Sequence, residues 1–435
     1  MIYAENEKND LPCENGEVSA KRAYALMERL AHVRLSCSDE ETAAAEELKK
    51  EVEALGVSCA IEPFEASCGT VREAKLVVLE PYEKEYTVTG YIRSDSTPED
   101  GLELDFMYAE NALPANLVGA EGKAVLVNGR VSYAMYERLQ KAKPAAIISF
   151  SGTVLDREDE TDIDIRKIRE TYTEAFGNNV LINLRARDAM ELVLFGAKKI
   201  KLIVQSERSD GISHNVCAEI PGTEFPDEIV SFGAHYDSVY FSTGSYDNMS
   251  GSVIILELLR YFAAHPPKRT LKFNWFGSEE QGLLGSKAWT KAHKDELDKH
   301  VLMINVDVAA PILGHEIVFT MGTEALAHYT DGMLKELGRA AEVKSDIYSS
   351  DSVPFADNGV PAINFCRFGA LGTAFIHDRR DDPSLGYLSP AALDITLQNV
   401  LAFAKRVVNA RVFPIEKKID DEMKGKVDKY LFRKK

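Results

Sequence analysis

Two adjacent carboxylates, Glu279 and Glu280, follow an apolar, strand-like run, Thr270 to Phe276, in the segment FGSEEQGLLG from Phe276 to Gly285. Neighbouring acids repel, so such a pair at a strand end calls for a cation or a proton nearby. Taken alone, the segment also fits an ordinary helix start with its acids facing the positive end of the helix dipole. Its company elsewhere in the chain separates the two possibilities. The run Glu228–Ala234 leads into His235, Tyr236 and Asp237, and Val301–Val306 leads into Asp307. Asp247 sits in the turn-rich loop Gly244–Gly251, and His377 lies in FIHD, beyond the apolar run Val360–Cys366.

Each of these residues has an ordinary use. His235 could be a hydrogen-bonded core histidine, Asp247 a helix cap, and His377 a surface residue beside a charge cluster. Asp237 could be a turn acid or could hold the His235 imidazole from behind. Asp307 is the hardest to dismiss, because a lone carboxylate inside an apolar run is costly to bury without a cation or a proton. Open α/β sheets bind ligands beyond the carboxyl ends of their strands. Three strand ends therefore send His, Glu and Asp to one edge, with Asp247 and His377 available from loops. Such a set suits two divalent ions, each taking nitrogen and oxygen ligands. Zinc is the first choice; histidine and carboxylate ligation without cysteine also admits cobalt or manganese.

The elements that must hold these residues follow from periodicity. The first 65 residues read as helical, with one helix over Val18–Ala31 and a second opening on Ser38-Asp39-Glu40-Glu41. That opening is a capping-box pattern, in which Glu41 is expected to reach back to the cap. Apolar positions Ala44, Ala45, Leu48, Val52 and Leu55 then recur at helical intervals, and Gly56 ends the helix. From Cys68 to Gln205 short β-rich runs take over: Lys75–Leu79, Tyr86–Ile92, Ala124–Val127, Ala145–Phe150 and Ile200–Val204, with a helix over Tyr133–Lys143. The charge-dense stretch Asp156–Glu170 is expected to be a solvated loop.

After Asn215, near-continuous apolar strands alternate with helices, and the last of these, from Ser389, has a capping serine followed by proline. The expected fold class is α/β, a mostly parallel central sheet covered by helices on both faces. The expected divisions are 1–67 for the N-terminal helices, 68–208 for a β-rich insert, 209–413 for the catalytic domain, and 414–435 for a charged tail, a surface helix or disorder.

A chain of 435 residues suggests more than one domain, and its net charge of −18 argues against nucleic acid or an anionic membrane as the main partner. The six cysteines are scattered with no CxxC pair, which in a chain of this size reads as reduced thiols. No apolar signal core opens the sequence and no 18-residue apolar run occurs, so a cytoplasmic location is the default expectation.

The blocks HYD, GSYDNMSG, FGSEEQGLLGS, INVD and IHDRRDD, in this order, resemble the zinc-dependent aminopeptidases of the aminopeptidase Y type, over Ile212–Val408 and the N-terminal helices. The resemblance implies a co-catalytic di-zinc site, two ions per chain, in which Asp247 bridges. His235 and Asp307 would complete one site, Glu280 and His377 the other, with Glu279 as general base toward a water bridging the metals. Peptide substrates follow, cleaved from the N-terminus. Segments Gly122–Val127, Ala145–Phe150 and Asn179–Ile182, with a helix over Arg187–Gly196, are similar to a protease-associated domain inserted into such peptidases. Ser350–Phe355 and Gly359–Ile363 resemble the loop and strand beside the family's substrate pocket. Many relatives carry an aromatic hydroxyl directly before the late histidine, where this chain has Ile376.

Alternatives stay open at this point: a glutaminyl cyclase-like transferase with one zinc, a carboxypeptidase using Arg367, Arg379 or Arg380, or a receptor-like binding protein without catalysis.

Overall fold

A computed structural model describes residues 17–159 and 162–433. The opening segment with Cys13 and the terminal Lys434 and Lys435 lie outside the described residues. The chain divides into two compact units, one formed by Met1–Ala66 with Gly211–Lys435 and the other by Ser67–Asp210. Among the described residues no helix is long and apolar enough to cross a membrane.

Helix α1 (Ala20–Arg29) starts at Ser19, whose hydroxyl accepts from the Arg22 amide at 3.3 Å. Helix α2 (Asp39–Glu53) is capped by Ser38 and buries Ala44, Ala45, Leu48 and Val52 as one stripe. Helical character does not continue to residue 65. Strand β1 (Cys59–Glu80) begins soon after the turn at Gly56. Branched Ile61 and Pro63, which offers no amide to a helix, favour extended chain there.

The second unit contains β2 (Lys84–Tyr86), β3 (Val88–Gly90), β4 (Leu102–Tyr108), β5 (Ala124–Leu126), α3 (Tyr133–Ala142), β6 (Ala146–Ser151), α4 (Glu170–Phe176), β7 (Val180–Arg185), α5 (Ala186–Leu194) and the first part of β8 (Lys199–Ile220). Its strands run in the order β8-β4-β5-β6-β7-β3, with β4 to β7 parallel. Leu126, Ile148, Ile182, Leu202 and Val204 fill its core. Strand β4 has no counterpart in the sequence expectation, because its alternating acids mask a half-buried ribbon. The expected single strand Tyr86–Ile92 is broken at Thr87 into β2 and β3. The Asp156–Glu170 stretch is not wholly solvated either. Ile163 and Ile168 are buried, and buried Arg166 donates to Asp164 at 3.0 Å and to the Ser149 hydroxyl at 3.3 Å.

The first unit continues from Gly211 in β8 with β9 (Phe225–His235), α6 (Ser250–Ala264), β10 (Arg269–Phe276), α7 (Leu284–Ala292), β11 (His300–Val306), β12 (Gly314–Met321), α8 (Glu324–Glu336), β13 (Glu342–Lys344), α9 (Ser352–Asp357), β14 (Ala362–Gly369), α10 (Pro390–Asn409) and α11 (Asp421–Tyr430). The strand order is β13-β12-β14-β11-β9-β10-β8. Pairs β10–β9, β9–β11, β11–β14 and β12–β13 are parallel, while β12–β14 and β10–β8 are antiparallel. The sheet is thus mostly parallel, in agreement with the sequence reading.

Alternation along the central strands shows why both faces are covered. Leu302, Ile304 and Val306 join one core with α1, α6 and α10, while Met303 between them joins another with Trp289, Phe355 and Met423. Burial on both faces requires the near-continuous apolar composition of β9, β10 and β11. Register then fixes where chemistry can occur. His235 pairs with Phe276, Gly233 with Asn305, and Val306 with Phe365, so the strands end level at one edge.

Candidate active site

His235 is the last residue of β9, Glu279 and Glu280 follow β10 in a tight turn, and Asp307 follows β11 directly. Asp247 stands in the loop before α6, and its peptide bond to Asn248 is cis. His377 comes from the long loop after β14. These residues converge. Asp247 Oδ1 lies 3.1 Å from His235 Nε2, and its other oxygen, Oδ2, lies 3.3 Å from His377 Nε2. Asp307 Oδ1 is 3.7 Å from His235 Nε2, and Glu280 Oε2 is 3.0 Å from His377 Nε2. Each oxygen of Asp247 therefore faces a different imidazole, and each imidazole has a further carboxylate nearby. Glu279 Oε2 stands 4.0 Å from His235 Nε2, between these pairs and the turn.

Asp237 works from behind. It takes the Glu279 and Glu280 amides on its two oxygens at 3.0 and 3.1 Å, and Oδ1 lies 3.3 Å from His235 Nδ1. One buried carboxylate so fixes both the ring and the turn that carries the acids. His377 is 40% exposed, which places it at the mouth, whereas His235 is buried.

The donor set fits divalent metal. Nε2 of His235 and oxygens of Asp247 and Glu280 lie within 4.8 Å of one another. Glu280 Oε1 and Asp307 Oδ1 are buried with no hydrogen-bond partner among the described residues. Burial, then the charges of Glu280, Asp351 and Asp307, pushes Glu279 well above the carboxylate range, against the pull of His235. Burial opposes ionisation of Asp247 as well, yet its contacts with His235 and His377 hold it low. A site of histidine nitrogens and unpartnered carboxylates is one a divalent cation would stabilise.

Three residues unremarked in the sequence shape the site. Asp381, in the HDRRDD segment that looked like a plain charge cluster, is fully buried and accepts from the amides of Tyr246 at 2.7 Å and Asp247 at 3.1 Å. Arg34 is also buried, and its guanidinium donates to carbonyls, those of Leu30, His32, Tyr236, Thr243 and Gly244. Asn248 donates to the Val306 carbonyl at 2.9 Å and accepts from the Val308 amide at 3.1 Å, tying the Asp247 loop to the Asp307 loop. The approach is so close that a Cβ at Gly251 would meet the Val306 carbonyl at 2.3 Å. Only the charged run DRRDD at 378–382 could have flagged Asp381; a lone arginine after a helix carries no signal.

Left-handed backbone at non-glycine residues gathers here: Ser278 (φ 54°), Val308 (φ 63°), Ala310 (φ 81°) and His377 (φ 56°). For a branched residue such as Val308 that conformation is strained and survives only where the surroundings over-determine it. The Asn248 side chain and the Arg367 amide, which donates to the Val308 carbonyl at 2.8 Å, do so.

Known proteins share parts of this sequence and its fold. Residues 215–404 match Peptidase family M28. Carboxypeptidase Q of Xenopus laevis is 26% identical over 294 residues, 63% of this chain and 61% of that protein. Aminopeptidase YwaD of Bacillus subtilis (strain 168) is 33% identical over 150 residues, 32% of each chain. The matches thus span under two thirds of these curated relatives. A solved zinc aminopeptidase from Bacillus subtilis, BSAP, superposes with a TM-score of 0.76 at 20% identity, covering 94% of this chain and all of that one, and so shares the fold.

Proposed function

Residues 215–404 are a peptidase family M28 domain, and on that premise we propose a zinc-dependent aminopeptidase that removes N-terminal residues from peptides with two ions per chain. The observation that carries the proposal is Asp247, whose two oxygens face different histidines at 3.1 and 3.3 Å. His235, Asp247 and Asp307 would hold one zinc, and Asp247, Glu280 and His377 the other. Bound there, the ions supply Lewis acidity toward the scissile carbonyl and the attacking water.

The chain's own part is positioning and proton transfer. Glu279 takes a proton from the attacking water and returns it to the departing amine as the C–N bond breaks, a role that contributes about 10²–10⁴-fold. Asp237 holds the Glu279 and Glu280 amides, so that one carboxylate stays with the metal ligands while its neighbour faces the reacting water. Burial behind His235 limits water at the inner side, and His377 lies at the open one.

The similarity to carboxypeptidase Q keeps a second reading in view, in which a cation would bind the substrate carboxylate. Arg367 is committed to the Glu316 carboxylate and to the carbonyls of Pro311 and Ile312. Arg380 makes paired contacts with Asp378 at 2.9 and 2.7 Å. Arg367 and Arg380 are thereby engaged, which favours the aminopeptidase.

The test is a panel of aminoacyl chromogenic substrates against N-acetylated and C-terminal counterparts, with chelation and zinc add-back. Free-amine substrates should be cleaved and acetylated ones spared. Glu279→Gln should lower kcat by at least about 10²-fold with two zinc ions retained. Release of C-terminal residues instead would overturn the assignment, and one zinc per chain would overturn its dinuclear part.

A further inference from the structure

The turn that carries Glu279 and Glu280 is gripped on two sides, and only one grip belongs to the strand-end cluster. On the far side stands Glu41, the third residue of α2. As a capping-box glutamate it would satisfy the Ser38 amide; instead its side chain reaches past the helix start. Oε2 accepts from the Cys37 amide at 2.6 Å, while Oε1 accepts from the Ser213 hydroxyl at 2.8 Å and from the Ser278 amide at 3.1 Å. Glu41 is fully buried, an uncommon fate for a helix-capping acid.

We propose that Glu41 is a positioning residue for catalysis, holding Ser278 in its left-handed conformation so that Glu279 and Glu280 both turn toward the strand-end cluster. The assignment rests on the peptidase reading above. Ser278 has φ 54°, which a non-glycine residue adopts only when its contacts impose it. Those contacts are the Glu41 carboxylate on its amide and the Ser36 hydroxyl on its own. Gly277 beside it has no space for a side chain, since a Cβ would come within 2.8 Å of Glu41 Oε1 and 2.5 Å of the His214 carbonyl. Past Ser278, the next two amides are already taken by Asp237. Three consecutive amides, of Ser278, Glu279 and Glu280, are thus held by two buried carboxylates. Either grip lost, the turn has a relaxed alternative, and a carboxylate displaced by about 1 Å from its productive place costs heavily in rate.

Glutamine at position 41 keeps the shape but replaces one acceptor oxygen with a donor, which must face either the Cys37 or the Ser278 amide. Under the proposal Glu41→Gln, assayed at saturating zinc, lowers kcat about tenfold with KM unchanged, and speeds amide hydrogen exchange in the peptide spanning 276–281. Ser213→Ala removes the β8 contact but leaves the Ser278 amide its acceptor, so kcat and exchange in that peptide should stay within twofold of wild type. If Glu41→Gln does not accumulate, Glu41→Asp withdraws the carboxylate by one methylene and should show the same two changes. Wild-type kcat and exchange in the Glu41 variants, or equal losses in Ser213→Ala, overturn the proposal. Absence of turnover in wild type would sink the peptidase reading instead, leaving the exchange measurement to decide the role of Glu41.

Discussion

Asp381→Asn tests whether the loop that presents Asp247 is built for metal. In the structure Asp381 Oδ1 accepts from the Tyr246 amide and Oδ2 from the Asp247 amide, with the Ser242 hydroxyl also 3.4 Å from Oδ2. Asp381 itself is closed to solvent, so water cannot replace a lost acceptor there. Asparagine offers one carbonyl oxygen for two amides and points a donor at the other. An unsatisfied buried amide costs about 1–3 kcal/mol, which is roughly 5- to 150-fold in an equilibrium constant. The cost falls on the conformation that places both Asp247 oxygens between the two histidines, because the amide left unpaired is that of Asp247 or of Tyr246 beside it. Zinc affinity, measured by competition with a chromogenic chelator, should fall by about 10- to 100-fold, in line with other residues that act one step behind a metal ligand. Circular dichroism should show an unchanged fold. Zinc binding within twofold of wild type in a folded Asp381→Asn protein would refute the reasoning.

The remaining predictions concern a phenol and a surface acid. Tyr348 is clamped between Phe319 and Phe368, and its hydroxyl makes no hydrogen bond among the described residues. Burial, then the charges of Asp307, Cys366, Asp247 and Glu279, pushes that hydroxyl well up, so it stays an O–H donor. Tyr348→Phe should lower kcat about tenfold at constant KM, and an unchanged kcat would leave the phenol a packing residue only. Glu296 is held down to about 2 by the His300 ring at 3.7 Å and the Lys272 ammonium at 2.6 and 2.7 Å, against partial burial. A depressed folded-state pKa gives stability that is present above the unfolded value, near 4.5, and is lost as pH falls toward about 2. Urea unfolding from pH 6 to pH 2 should therefore be shallower in Glu296→Gln; equal slopes would remove this ion pair from the acid response.

Much of the fold and the candidate cluster was legible because both are written in local patterns. Fully apolar runs such as Val301–Val306 announce a strand covered on both faces, and an acid or histidine directly after such a run lands at the sheet edge. His235, Glu279, Glu280 and Asp307 are of this kind. What stayed hidden had no local pattern. Glu41 looked like half of a capping box, yet tertiary contacts at Ser213 and Ser278 offered its carboxylate more than the helix end did. Strand β4 and the buried part of the 156–170 stretch hid behind acids, which sequence periodicity counts as solvent-facing even where one side of the ribbon is covered.

By itself the sequence determined which side chains are available and that three strand ends must deliver theirs to one rim, since strand periodicity and parallel register leave little choice. Tertiary structure alone decided that Asp247 would offer each of its oxygens to a different histidine, and that Asp381, Arg34, Asn248 and Glu41 would hold it and the acid turn in place. The physical reason is that alternation along a strand is a short-range property, whereas satisfying buried amides draws on residues more than a hundred positions away.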